Sequence, residues 1–103
     1  MFLVSYAGDM PVGFGALRQL GPDTAEIKRM YVLPEWRGRG VSALVSAGLE
    51  DHTREWGRSV LRLETGPKQP EAVRFYEKSG YLRIPNFGPY AADPTSLCYE
   101  RVL

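Results

Sequence analysis

The stretch from Ala25 to Glu64 leaves little choice of fold. An apolar, β-prone run ends at Val32, the junction Arg37-Gly38-Arg39-Gly40-Val41-Ser42 follows, and a second β-prone run, Val60-Leu61-Arg62-Leu63-Glu64, comes soon after Gly57. Between them Val41, Leu44, Val45, Gly48, Leu49, His52 and Trp56 recur at helical spacing, with Glu50, Asp51, Arg54 and Glu55 elsewhere and Gly57 as the stop, so the middle segment reads as a helix. Strand, helix and strand in that order make a right-handed βαβ unit, which requires the two strands to lie parallel in one sheet.

The junction itself points to an anion. Gly38 and Gly40 let the backbone approach a ligand, the helix start presents unpaired N–H groups and the positive end of its dipole, and Arg37 and Arg39 add charge. Gly38 to Ala43 also satisfies Gly-x-Gly-x-x-Ala, and Glu64 ends the next strand, so a dinucleotide-binding fragment competes. In that fold the first glycine follows its strand almost at once, whereas here Leu33 to Arg37 intervene. No Gly-Lys-Ser/Thr follows, which excludes a Walker-type loop.

Phe2 to Ala7 and Val12 to Leu20 are β-prone runs around Gly8-Asp9-Met10-Pro11, and Gly21-Pro22-Asp23 turns the chain into a third strand, so the opening reads as an antiparallel meander. Gly13 and Gly15 permit close packing or a bend in the second strand. In the third, Ala25 and Ile27 are apolar on one face, Lys28-Arg29 intervene, and Met30 and Val32 are apolar with the opposite parity. A β-bulge produces such a change; a strand buried on both faces at its end would look the same. Beyond the βαβ unit, Gln69-Pro70-Glu71 starts a helix that carries Ala72, Val73, Phe75 and Tyr76 to Gly80; Tyr81 to Ile84 and Ser96 to Val102 are strands around a Pro/Gly/aromatic loop. The expectation is a single α/β (α+β) domain over residues 1–103, its mixed, twisted sheet of about six strands running from meander to βαβ unit to a helix and C-terminal hairpin.

Charge and cysteine usage narrow the partners. The 13 Lys and Arg nearly cancel the 12 Asp and Glu, so no general field favours nucleic acid or an anionic membrane, and neither is expected as a partner. One cysteine, Cys98, and one histidine, His52, make neither an internal disulfide nor a zinc site, and no metal is expected. With no basic segment at Met1 to Ser5 and no apolar run near the ~20 residues of a membrane span, the reading is a soluble protein of the cytoplasm.

The meander, the irregular third strand, Arg-x-x-Gly-x-small at a helix start, a parallel strand and then Glu71-Ala72-Val73-Arg74-Phe75-Tyr76-Glu77-Lys78-Ser79-Gly80-Tyr81 together resemble the GNAT superfamily of acyl-CoA-dependent N-acyltransferases. The resemblance covers nearly the whole chain, with motif blocks at 26 to 42 and 69 to 81. Leu63-Glu64-Thr65-Gly66 with Gln69-Pro70-Glu71-Ala72, followed by Arg83 to Tyr90, is similar to a bacterial branch of small-molecule-type acetyltransferases. The strand and two helices that usually precede the meander are not among these residues, so the resemblance implies a shortened version or a wall supplied by a partner, with a homodimer as one possibility.

The resemblance also implies roles. Arg37, Gly38, Arg39, Gly40, Val41 and Ser42 would wrap the pyrophosphate of coenzyme A; Ser42 departs from the usual Gly or Ala but is small. Met30, Tyr31 and Val32 would line the gap a bulge opens, with the Met30 N–H as oxyanion donor, and Gln69 would touch the cofactor arm in place of the common Asn. An amine must lose a proton before it attacks, since free alkyl amines have pKa values near ~10. Glu26 would serve as base through water, unless it is simply a surface strand carboxylate. Tyr76 would assist the departing thiolate, although a tyrosine at helical core spacing is ordinarily just packed. Phe87 and Tyr90 would line the acceptor pocket, and Trp36 would pack beside the cradle. The implied activity is transfer of acetyl from acetyl-CoA to a primary amine, on a small molecule or peptide, by direct attack. A non-catalytic acyl-CoA-binding or partner-completed module is the alternative.

Overall fold

The computed structural model describes all of residues 1–103. Strands β1 (Phe2–Ala7), β2 (Met10–Gln19) and β3 (Thr24–Val32) form the antiparallel meander. Helix α1 (Val41–Glu55) crosses to β4 (Val60–Thr65), α2 (Pro70–Lys78) follows, and β5 (Leu82–Ile84) pairs antiparallel with β6 (Leu97–Val102). The sheet order is β1-β2-β3-β4-β6-β5, with only β3 and β4 parallel. This is the mixed six-stranded sheet expected from the sequence, with β6 inserted between β4 and β5.

The parity change in β3 is a bulge. Ala16 faces Arg29 and Leu17 faces Ile27, so Lys28 has no partner on β2. On its other side β3 pairs with β4 only from Thr24↔Val60 to Ile27↔Leu63. Beyond the bulge the two strands part, and β4 continues to Thr65 without β3 beside it. The sheet is thereby opened at its centre while both strands stay anchored.

Both helices pack on one face. Val41, Val45 and Leu49 of α1 meet Leu17, Ala25, Ile27, Leu61 and Leu63 of the sheet, and each of the Val, Leu and Ile side chains contributes ~1.5–3 kcal/mol on burial. The glycines of β2 set the depth of this contact: a Cβ on Gly15 would lie 2.8 Å from Leu49 Cδ1 and 2.9 Å from Val45 Cγ1. Close packing, rather than a bend, is what they provide. The buried stripe of α1 differs from the expected one, since Leu44 is exposed while Ser46 and Thr53 are buried. Thr53 tolerates burial because its hydroxyl donates to the Leu49 carbonyl at 2.8 Å.

The helices end in the same way. After α1, Gly57 has φ 73°, its N–H bonds the Arg54 carbonyl and that of Arg58 the Thr53 carbonyl. After α2, Gly80 has φ 91°, and the N–H groups of Gly80 and Tyr81 bond the carbonyls of Glu77 and Tyr76. These are Schellman caps, and the apolar contact that accompanies such a cap joins Tyr81 to Tyr76, with ring centroids 5.5 Å apart. The other face of the sheet carries no helix; Phe2, Phe14 and Tyr31 form an aromatic row along it, with successive centroids 5.1 and 5.7 Å apart. No helix is long and apolar enough to cross a membrane.

Candidate functional site

The junction before α1 is an open, glycine-rich turn whose geometry suits an anion. Gly38 and Gly40 have φ 76° and 83°, conformations that an L side chain rarely adopts, and nothing lies within 4 Å of where their Cβ atoms would be. The backbone N–H groups of Gly38, Arg39 and Gly40 have no backbone partner, and the first helical N–H groups have none within α1 by construction. Arg37 is held by its Nε donating to the Val32 carbonyl at 3.2 Å and by lying over the Tyr31 ring, 5.7 Å from its centroid. Arg39 lies 4.9 Å from the centroid of Trp36, which packs beside the cradle as expected.

A cavity of about 880 Å³ runs from this cradle along α2 to the opened sheet. Arg37, Gly38, Gly40 and Ser42 line one end, Gln69 flanks it, and Met30, Tyr31, Val32 and Tyr76 line the other. Arg39 and Val41 are not on its wall; Val41 is turned into the core beneath the cradle. Lys68, Ala72 and Phe75 also line it, beside Trp36, Ala43, Pro70 and Glu71, and sequence alone assigns none of these three a site role. Lys68 makes no ion pair, and its signal was present in the sequence: a lone cation just before a helix with proline at its first turn.

Tyr76 is buried and held from several sides. Its ring packs edge-on against Phe75 and Tyr81, and its Oη donates to Met30 Sδ at 3.4 Å, across the gap from β3. Burial disfavours the phenolate and pushes its pKa up to about 12. It is therefore a proton-bearing donor at any working pH, and sulfur is a weak acceptor that a better one can displace. Tyr76 is thus packed in the core and at the same time on the cavity wall.

A second cavity of about 380 Å³ opens between the parted strands and shares Met30, Tyr31, Gln69, Ala72 and Tyr76 with the first. Lys28 and Arg29 line it from the bulge and Glu64 from the end of β4. Glu26, Phe87 and Tyr90 line neither cavity. Glu26 is no surface carboxylate: it is fully buried on the helix-free face, where it accepts from Arg18 Nε at 2.8 Å and from Tyr90 Oη at 3.0 Å. Tyr90 Oη also accepts from Lys28 Nζ at 3.0 Å, and Lys28 Nζ lies 4.0 Å from Glu26 Oε2, so Glu26 meets the second cavity through Lys28. Phe87 packs against Tyr90 and under the Arg62 guanidinium. Glu64 also lies on the wall of the second cavity, although the sequence gives it no part in the acyltransferase site.

The acetyltransferase (GNAT) family model matches residues 1–81. The chain belongs to the GNAT family. Over 99% of its length this GNAT chain is 39% identical to an IAA acetyltransferase of Azospirillum brasilense, of which it spans 67%. It spans 51% of two further curated relatives. Among solved structures it superposes with a TM-score of 0.93 on a protein of Klebsiella pneumoniae described as an acyl-CoA N-acyltransferase, at 34% identity over 99% of this chain and 71% of that one. PaiA N-acetyltransferase of Thermoplasma acidophilum, solved in complex with coenzyme A, shares the fold at a TM-score of 0.88 and 21% identity, over 100% of this chain and 60% of that one.

Proposed function

We propose that the chain is an acetyl-CoA-dependent N-acetyltransferase that acts on a primary amine by direct attack. The observation that carries this reading is the continuous cavity from the Gly38–Gly40 cradle to Tyr76 Oη at the gap in the sheet. The residues fit coenzyme A: free backbone N–H groups, two glycines with room above them and Arg37 suit a pyrophosphate, and the cavity beside α2 suits an extended thiol arm. Acetyl-CoA, when bound, supplies the acetyl group as a thioester.

In this reading Arg37, Gly38, Gly40 and Ser42 hold phosphate, with Arg39 and Lys68 adding charge at the rim, and Gln69 touches the arm. β3 beyond Ile27 has no β4 partner, so backbone groups there are available to hydrogen-bond a ligand; the Met30 N–H is our candidate donor to the carbonyl oxygen as it gains charge. Tyr76 Oη turns from Met30 Sδ to the departing sulfur. The amine loses one proton as the C–N bond forms and the C–S bond breaks, and the thiolate gains one, so no redox partner is needed. Glu26 acts by holding Tyr90 and Lys28 in place.

Thermal unfolding across CoA, acetyl-CoA and longer acyl-CoA esters tests the reading. Saturating acetyl-CoA at 100 times its Kd should stabilise the fold by about 2.7 kcal/mol, and dephosphorylated pantetheine should do far less. No shift with either CoA or acetyl-CoA overturns the proposal. Stabilisation without thiol release on any amine would instead support an acyl-CoA-binding module.

A further inference from the structure

The second cavity carries opposite charges on its two rims. On the β3 rim, Arg29 makes no ion pair and no side-chain hydrogen bond, although the neighbouring Lys28 is engaged with Tyr90. On the β4 rim, the half-buried Glu64 accepts from the Ser96 hydroxyl at 2.9 Å through Oε2, while its Oε1 has no partner and no cation is within ion-pair distance. An unengaged guanidinium and an unengaged carboxylate oxygen thus share one small cavity without pairing with each other. Such a pair left apart is an electrostatic mould for a ligand with the complementary charges. Phe14 and Tyr31, tilted against each other on the helix-free face, supply an apolar wall to it.

From this arrangement we infer that the acceptor is a small zwitterion: a primary amine bearing a carboxylate or phosphonate a few bonds away, with an apolar side group. Resting on the acetyltransferase reading above, the inference names the substrate class of the same site. Glu64 holds the ammonium end beside Tyr76, and its free carboxylate oxygen takes up the proton that the amine sheds before the nitrogen attacks. Arg29 holds the anionic end by a forked pair of hydrogen bonds, which either anion can accept. The apolar group lies on Phe14 and Tyr31. An amine without the anion would leave Arg29 unmatched and its own position unset.

The test is thiol release from acetyl-CoA with the standard amino acids, the amines left by their decarboxylation, and the aminophosphonates of the same skeletons. The best zwitterion should exceed its parent amine in kcat/KM by about tenfold or more, the effect of one charge-assisted hydrogen bond. Comparison of carboxylate with phosphonate identifies which anion fits. Arg29→Gln should collapse the ratio toward one, chiefly by raising KM for the zwitterion, whereas Arg54→Gln on the solvent face of α1 should keep it. Glu64→Gln should lower kcat/KM for every amine by about tenfold or more. Parent amines used as well as their zwitterions, or a ratio untouched by Arg29→Gln, would overturn the inference. If nothing in the panel turns over, calorimetric binding to the acetyl-CoA-loaded protein decides, and absence of any zwitterion binding overturns it. Thermal stabilisation by acetyl-CoA is read separately, so failure of the acceptor class and failure of the cofactor reading are distinguishable.

Discussion

Replacing Tyr76 with phenylalanine removes one oxygen from the junction of the two cavities. In the resting protein that hydroxyl has a single partner, Met30 Sδ at 3.4 Å, so the fold loses little and stability should stay within ~1 kcal/mol of the wild type. The ring contacts with Phe75 and Tyr81 survive. The chemistry loses a hydrogen bond to a sulfur that gains negative charge, worth about 1.5–3 kcal/mol, so the rate of the acetyl-transfer step should fall about 10- to 150-fold. KM for acetyl-CoA should change less than about threefold, because the bond strengthens only as the sulfur departs. Single-turnover thiol release, followed from pH 6 to 9, reads the chemical step directly. With a pKa of about 12, wild-type Tyr76 is ionised to only about one part in a thousand at pH 9, and no falling limb should come from it. Full retention of the single-turnover rate in Tyr76→Phe would refute the argument. So would a wild-type falling limb near pH 9 that the substitution abolishes.

Gly15→Ala should destabilise by ~1–3 kcal/mol, since the new Cβ would press on Leu49 and Val45; chemical denaturation checks this, with Gly21→Ala, where nothing lies within 4 Å, as a near-neutral control. Gly40→Ala forces alanine to φ 83° at a cost of ~1–2 kcal/mol and should weaken acetyl-CoA binding by calorimetry more than it lowers Tm. Glu26→Gln should lower stability by ~1–2 kcal/mol, limited by solvent around the half-exposed Arg18, and should reduce activity without moving the midpoints of the pH–rate profile; loss of an acidic-side limb would return Glu26 to the role of base. Burial raises the pKa of Tyr76 to about 12 and also raises those of Tyr81 and Tyr99, so the native state keeps protons that the unfolded chain releases above pH 10. That stabilisation is complete below pH 10 and is lost as pH rises toward 12, on the order of 2–3 kcal/mol from Tyr76, which urea titrations across this range would register.

Much of the site was legible because local rules write it. The strand–glycine–helix junction declares itself in Gly38, Gly40 and the Val41-Val45-Leu49 stripe, and proline at the start with glycine at the end brackets α2. The parity change around Lys28 announced a bulge, though a strand buried on both faces remained open until the register was seen. Glu26 shows the limit of such reading. Its position in the strand is correct, but a loop more than sixty residues later in the chain, carrying Tyr90, covers it and takes up its carboxylate (|i−j| of 64).

By itself, then, the sequence determined the elements, the parallel pair, the glycine junction before α1 and the tyrosine near the end of α2, because each depends on periodicity, φ preference or capping within a few residues. Tertiary structure alone decided which side chains face the cavity. Only the pairing of β3 with both neighbours shows that the sheet opens after Ile27, and only that opening puts Lys28, Arg29 and Glu64 around one space while Glu26 is sealed behind Tyr90. A carboxylate's role is set by what desolvates it and what hydrogen-bonds it, and those groups arrive from distant parts of the chain.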